Sequence, residues 1–380
     1  MTLSSVSIKG YRSIKELHLP LRQLTVLTGG NGVGKTNLYR SLELLRSAAT
    51  GTLAAEVARE GGLGSVFWAG GKNLSPTGEF DPKYRTDGYR KGEPNRLSLE
   101  ATFDDLGTYR IELGFPPPGI AAFELEAQVK LEVLHQLAGT KKTSILERDG
   151  QSIRVCKERG PDLLASETAL ANLSTLDPLL GGLRAELSAW RFYHGFRTDP
   201  DSPLRQPAPA ITAPLLKSDG SNLASVFATL RHIREETIDL DEAIETAFPG
   251  AELVVPMPED RATFAMRFPE MPKRAFEAYE LSDGTLQFLA LMGALLSYRA
   301  PPLIALNEPE ASLHPSLLPA LAKTIAKAAE RTQIWVVTHS PDLATAISEE
   351  TGAVPREVVR TDEGTSIMGL SRLGVFEDDD

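Results

Sequence analysis

The spacing of apolar and polar positions changes period several times along the chain. Residues 3–9 alternate, which predicts a half-buried strand. Leu24-Thr25-Val26-Leu27 is a short apolar run that reads as a buried strand, and residues 37–45 then recur at helical spacing. Residues 50–96 are rich in Gly, Ser, Asn and Pro around an apolar knot at Val66-Phe67-Trp68, so loop with a short helix is expected. Strand-like runs follow at 97–103, 109–115, 123–133, 143–147 and 152–156, with Asp149-Gly150 as a hairpin signal between the last two. Together they predict an antiparallel sheet region. Residues 162–190 and 222–248 repeat Leu and Ala at three- and four-residue steps, as helices do. The proline-rich stretch 198–212 between them is expected as an exposed loop. Strand patterns return over 251–268, and from 281 the order is helix, strand, helix, strand, helix. There is no repeat of fixed period, no low-complexity segment and no heptad run long enough for an extended coiled coil.

Composition narrows this picture. The 380 residues are 42% hydrophobic, enough for a sizeable core in two or three domains or one large domain with insertions. No apolar run reaches the length of a membrane span, and the N-terminus lacks the plan of a signal peptide. A soluble, cytoplasmic protein without a membrane partner is expected. The single cysteine, Cys156, excludes an internal disulfide and a cysteine-based zinc site, and is expected as a small buried side chain. A net charge of −11 and a pI near 5.2 argue against a broad basic face for nucleic acid, though not against a local groove. Scattered arginines in residues 92–96 and 191–205 fit solvated loops equally well. The acidic end Glu377-Asp378-Asp379-Asp380 is expected to be solvated.

Candidate chemistry begins directly after the first apolar strand. Gly29-Gly30-Asn31-Gly32-Val33-Gly34-Lys35-Thr36 fits the phosphate-binding pattern of Gly, any four residues, then Gly-Lys-Ser/Thr. Its position between a strand and a helix start puts free N–H groups and the helix dipole on an anion. The glycines let the backbone wrap a phosphate closely. Asn31, Gly32, Gly34 and Asn37 belong to this cradle. Lys35 is expected to reach the β- and γ-phosphates of ATP, and Thr36 the Mg²⁺ ion. Near the C-terminus, Leu281-Ser282-Asp283-Gly284-Thr285 precedes an apolar helix. Ser282 or Asp283 serves there either as an ordinary helix cap or as part of a phosphate site. The apolar strand at 302–306 ends in Asn307-Glu308-Pro309-Glu310. Asn307 is expected to support Mg²⁺ and Glu308 to act as general base toward an attacking water. A second strand, 333–337, ends in Thr338-His339, and His339 is expected to hydrogen-bond the γ-phosphate or that water. Trp190-Arg191-Phe192-Tyr193-His194-Gly195-Phe196-Arg197 interleaves aromatic and basic residues, which suits either stacking on nucleic acid or packing.

The order of these motifs resembles that of an ABC-type ATPase head, of the RecF/SMC/OLD type. More closely, the chain is similar to a bacterial family of predicted AAA/RecF-like ATPases. The resemblance covers most of the chain and rests on Ile8 to Ser13, Gly29 to Thr36, Trp190 to Tyr193, Leu281 to Thr285, Leu306 to Pro315 and Val336 to Pro341. It implies an α/β head, with a central mostly parallel sheet, an antiparallel β region and an inserted helical lobe. Residues 1–160 would form the N-terminal part of the head, 161–275 the lobe and 276–380 the C-terminal part. It further implies a homodimer formed on ATP binding, with nucleotide held between the P-loop of one subunit and Ser282, Asp283 and Gly284 of the other. Arg12 would approach the nucleotide, and His314-Pro315 would start a helix on the dimer face. The long gap between Thr36 and Ser282 disfavours a transporter subunit, and the short stretch after His339 leads us to expect no nuclease domain.

Three departures from the family pattern stand out. Leu-Ser-Asp-Gly-Thr replaces Leu-Ser-Gly-Gly-Gln, so Asp283 adds a charge. Asn307-Glu308 replaces Asp-Glu, and an amide that brings no charge should bind Mg²⁺ more weakly. The glutamine that normally contacts Mg²⁺ has only Gln128 and Gln151 as candidates. The expected function is slow ATP hydrolysis coupled to head dimerisation, acting on DNA in repair or phage defence. The alternative is a nucleotide-gated switch for an unknown protein partner, and a minor reading is a catalytically dead nucleotide binder.

Overall fold

The computed structural model describes residues 1–68, 89–90, 93–94, 96–117, 123–138, 141–234 and 237–377. Gly92 and Asn95 of the 92–96 arginine stretch, and Asp378 to Asp380 of the acidic end, therefore lie outside the described residues. In chain order the elements begin with β1 (Leu3–Tyr11), β2 (Ile14–Pro20), β3 (Leu24–Thr28), α1 (Lys35–Thr50), α2 (Leu53–Arg59) and α3 (Leu63–Val66). Next come β4 (Tyr89–Arg90), β5 (Glu93–Pro94), β6 (Leu97–Phe103), β7 (Gly107–Gly114), β8 (Gln128–Ala138), β9 (Lys141–Asp149), β10 (Ser152–Val155) and β11 (Glu158–Arg159). The middle holds α4 (Ala169–Leu173), α5 (Pro178–Ala189), β12 (Arg191–Tyr193), β13 (Ala208–Pro209), α6 (Leu223–Thr229) and α7 (Ile238–Ala247). It continues with β14 (Glu252–Val254), β15 (Arg261–Ala262), β16 (Ala265–Arg267) and β17 (Ala275–Glu277). The last stretch holds α8 (Asp283–Leu295), β18 (Leu303–Asn307), α9 (Leu318–Ala329), β19 (Gln333–Val337), α10 (Pro341–Thr351), β20 (Arg356–Thr361) and β21 (Gly364–Ile367).

The chain divides into two compact units. The first comprises residues 1–22, 29–190 and 357–380, and the second residues 23–28 and 191–356. In the first, an antiparallel sheet of order β11-β10-β9-β8-β7-β6-β1-β2 buries alternate residues such as Val6, Ile8, Leu99 and Ile111. Alternation with one face buried is what an antiparallel sheet produces. At the centre of this unit lies Glu132, fully buried. Its carboxylate accepts from Tyr109 Oη (2.9 Å) and from the N–H groups of Ala169 (2.6 Å) and Leu170 (2.8 Å), so it caps α4 from a distant strand. Burial pushes its pKa up from the ordinary carboxylate range, outweighing those donors. Glu132→Ala should strand three buried donors and cost about 3–5 kcal/mol of stability. Urea unfolding checks this, and an unchanged midpoint would show that the cluster contributes nothing.

In the second unit, β12, β18, β19 and β3 run parallel, in that order. Leu303–Leu306 and every residue of β19 are buried, and such near-continuous apolar runs belong to strands covered on both faces. Helices α6–α10 supply the rest of this core, with Leu286, Phe288, Leu321, Ile325 and Ile347 at its centre. An antiparallel β14-β16-β17 sheet lies in the same unit. The expected α/β class, with an antiparallel sheet and a parallel one, is what the chain forms.

Several local expectations need correction. The strand expected at 123–133 starts only at Gln128 and runs on to Ala138. Residues 123–126 form a turn closed by Glu126 N–H donating to the Phe123 carbonyl (3.2 Å), which leaves Phe123 exposed. Cys156 is exposed, not buried. It and Lys157 have φ values of 49° and 72° and form the two-residue turn between β10 and β11, where the exposed thiol donates to Asp177 Oδ2 at 3.2 Å. The proline-rich 198–212 loop is anchored by buried Ser202, Leu204 and Ala208, because its backbone groups bond within the loop at 199–206 and pair with β15 at Ala208–Pro209. The hairpin β20–β21 was not foreseen. Among the described residues, no helix is long and apolar enough to cross a membrane.

Candidate functional site

Within the first unit, residues 29–34 form a glycine-rich loop that runs into α1. Gly34 (φ 111°) stands at the cap position, and no side chain caps the helix. The first N–H groups of a 16-residue helix are therefore left for an anion. Lys35 is 5% exposed, and its ammonium donates to the carbonyls of Gly29 (2.6 Å) and Gly30 (2.8 Å), curling the loop around its own lysine. Asn31 and Gly32 are exposed in this loop, and Thr36 is exposed in the first turn of α1.

The loop is pinned from beneath by groups distant in sequence. Asn37 Nδ2 donates to Ser13 Oγ (2.7 Å), which lies 2.6 Å from Thr365 Oγ1, and Thr365 Oγ1 donates to the Val33 carbonyl (2.8 Å). Asn37, expected on the nucleotide, has its amide nitrogen engaged in this chain. A Cβ on Gly34 would lie 2.0 Å from Thr365 Oγ1, so glycine is required there by packing as well as by its positive φ. Thr365 escaped the sequence reading. The available signal was the pair of short alternating runs around Asp362-Glu363-Gly364. Arg12, itself at φ 47°, is held by Glu60 at 2.7 Å, and Tyr11 Oη donates to the same carboxylate at 2.8 Å. Glu60 was likewise not anticipated.

In the second unit the parallel register aligns three strand ends. Asn307 pairs with Val337, and Val337 with Leu27. Neighbouring strands lie about 4.8 Å apart, so Glu308, Thr338 and Thr28 leave the sheet side by side. Thr338 N–H donates to the Leu27 carbonyl (2.9 Å) and Glu308 N–H to the Val337 carbonyl (2.7 Å). Glu308 has φ 50°, a strained conformation for a residue with a Cβ, and its side chain is 37% exposed. Its Oε1 lies 3.7 Å from His339 Nδ1.

Glu310, which the sequence reading passed over, organises this end of the sheet. Its side chain is 6% exposed. One oxygen accepts from Thr338 Oγ1 (2.5 Å), His339 N–H (3.0 Å) and Ser340 N–H (3.2 Å), and faces His339 Nδ1 at 3.2 Å. Glu310 Oε1 is thus the nearer of the two carboxylates that flank the His339 ring, ahead of Glu308. Ser340 Oγ in turn caps α10 by accepting from Leu343 N–H (3.2 Å).

Ser282 caps α8 by accepting from Thr285 N–H (3.2 Å). Asp283 is 63% exposed and paired with Arg205, and a Cβ on Gly284 would meet the Ser312 carbonyl at 3.0 Å. His314 caps the 3-10 turn Pro315–Leu317 that leads into α9, as the start of a helix should. Trp190, Phe192, Tyr193 and Phe196 are all buried, so none offers a face for base stacking. The glutamine candidates part company: Gln151 sits exposed in the β9–β10 turn, and Gln128 opens β8.

The Asn307 Oδ1 atom is buried without a hydrogen-bond partner. An oxygen in that state suits a hard cation or a water bound to one. Among the described residues, no group of three or more His, Cys, Asp or Glu side chains is arranged to hold a metal ion.

A family model described as "AAA domain, putative AbiEii toxin, Type IV TA system" matches residues 24–345. No curated protein matches significantly. Among solved structures, the chain is similar to an Smc head bound to the C-winged helix domain of ScpA. The TM-score is 0.56 at 16% identity, over 98% of each chain. It is also similar to an Smc head with an extended coiled coil bound to the C-terminal domain of ScpA, derived from Pyrococcus furiosus. There the TM-score is 0.52 at 15% identity, over 97% of this chain and 96% of that one. Similarity at this identity establishes a shared fold.

Proposed function

The chain belongs to that family of AAA domains, with the fold of SMC-type ATPase heads, and from this premise we propose that it binds ATP at residues 29–36 and hydrolyses it. The observation that carries the reading is the aligned exit of Leu27, Asn307 and Val337 from one parallel sheet. In α/β sheets ligands bind at the carboxyl ends of the strands. Here one strand runs on into the glycine loop, one into Glu308 and one into His339.

The residues divide the work by their chemistry. Uncapped N–H groups of α1 and the Lys35 ammonium bind the β- and γ-phosphates once Lys35 exchanges its two carbonyl partners for phosphate oxygens. Glu308, partly exposed, accepts a proton from the attacking water. His339, beside Glu310, presents its ring to the γ-phosphate or that water. Mg²⁺ would neutralise phosphate charge, held by Thr36 and, through water, by Asn307 Oδ1. Because Asn307 brings no charge, hydrolysis is expected to be slow. Residues 282–284 act across a dimer, closing on the nucleotide of a second copy. The three-part division 1–160, 161–275 and 276–380 remains our proposal for how the head and its lobe are built.

For the output of the cycle, the observations favour control of a protein partner over action on DNA. The chain carries a net charge of −11, and its aromatic–basic run is packed in the core. Light scattering with and without MgATP tests dimerisation, and phosphate release with and without duplex DNA tests the output. A doubling of mass with ATP and DNA-independent turnover are expected. Absence of both dimer and turnover would overturn the proposal. Strong, salt-sensitive stimulation by DNA would reverse the choice of partner.

A further inference from the structure

Arg205 lies in the proline-rich loop, in a segment that none of the motifs includes. Its side chain is 10% exposed, and nearly every donor is used. Nε donates to the Thr198 carbonyl (2.9 Å). Nη1 donates to the carbonyls of Tyr279 (3.0 Å) and Leu281 (2.8 Å), with Ala278 at the limit (3.5 Å). Nη2 donates to Asp283 Oδ1 (2.7 Å). One guanidinium thus gathers the carbonyls of the 3-10 turn before α8 and the carboxylate of its first residue.

This arrangement answers a difficulty in the sequence. A helix start that meets a triphosphate needs positive potential, and Asp283 puts a carboxylate there. The planar fork of an arginine offers five donors and a permanent charge, so one residue can both hold the backbone turn and offset that carboxylate. Lysine, with a compact ammonium, has no such reach.

We propose that Arg205 is a positioning residue for the 282–284 segment, holding its backbone and cancelling the charge of Asp283 so that this helix start accepts the triphosphate of a second copy. The inference rests on the ATP-dimer reading above. It makes Asp283 and Arg205 a matched pair: losing the arginine alone leaves a bare carboxylate facing phosphate, whereas losing both restores near neutrality.

The test compares wild type, R205M, D283N and the R205M/D283N double variant. Dimer formation is followed by light scattering over a MgATP titration, monomer nucleotide affinity with a fluorescent ATP analogue, and fold with thermal melts. R205M should bind nucleotide as wild type does but dimerise at least about tenfold more weakly. The double variant should recover to within about threefold of wild type, since the remaining difference is loop order rather than charge. D283N alone, which leaves Arg205 as a free positive charge and does not depend on R205M folding, should dimerise more tightly and with steeper salt dependence. Wild-type dimerisation by R205M, a double variant no better than R205M, or a weakened D283N would each overturn the pairing while leaving the dimer reading intact. A wild type that stays monomeric with MgATP would overturn both.

Discussion

Glu308→Gln should lower the rate of ATP hydrolysis by about 10²–10⁴-fold, the usual worth of a positioned general base, while leaving ATP bound and the dimer trapped. The substitution is nearly isosteric. It leaves intact the Glu308 N–H bond to Val337 that fixes this strand end, and the strained φ of 50° is a backbone property that glutamine can share. What disappears is the capacity to take a proton from water. In the proposed cycle hydrolysis ends the dimeric state, so a variant that binds but cannot cleave should accumulate as a dimer at ATP concentrations where wild type cycles. Single-turnover phosphate release and light scattering measure the two halves. Wild-type turnover in the variant would remove Glu308 from the chemistry. A slow variant that remains monomeric would instead break the link between nucleotide and assembly. The nearby Glu310 is the obvious rival for the base: its Oε1 already accepts from three donors, and its Oε2, though without a hydrogen-bond partner, is buried, whereas Glu308 is partly exposed to water.

Lys35→Met should weaken ATP binding by about 100-fold or more. Charge-assisted hydrogen bonds contribute about 1.5–3 kcal/mol each, and two phosphate contacts are at stake. The expected loss has a second source in this protein. Lys35 Nζ bridges the Gly29 and Gly30 carbonyls, so the methionine variant also loses the tie that curls the loop. Lys35→Arg separates the two: it keeps the charge but brings a planar fork too wide for a 5%-exposed position between two carbonyls. It should therefore bind ATP nearly as poorly as the methionine variant. Calorimetric titration with MgATP decides this, with thermal melts to verify folding. Tight binding by Lys35→Met would mean that residues 29–36 are not the nucleotide site.

Much of the fold was readable because the deciding interactions are local. The hairpin around Asp149-Gly150 forms where its turn residues predicted it, with Asp149 paired to Ser152. Strand β6 occupies the predicted run at 97–103, since alternation over seven residues admits few other solutions. Where reading failed, a distant partner or a short element decided the outcome. Strand β12 has three residues, too few to show a period, and exists because β18 offers it a parallel edge. Cys156 is exposed because a two-residue turn places it there, against the general preference of cysteine for the interior.

The sequence by itself determined the glycine-lysine loop, the strand before it and the helix after it, because eight consecutive residues and their backbone conformations specify that geometry. It also located Glu308 and His339 at strand ends. Only the tertiary structure decided that β19 lies next to β3, with β18 on its other side, all in matched register. It alone set Glu310 beside the His339 ring, put Thr365 under the loop beside Ser13, and paired Arg205 with Asp283. Each of these joins residues dozens to hundreds of positions apart, and such contacts follow from how sheets and helices pack, which no local pattern encodes.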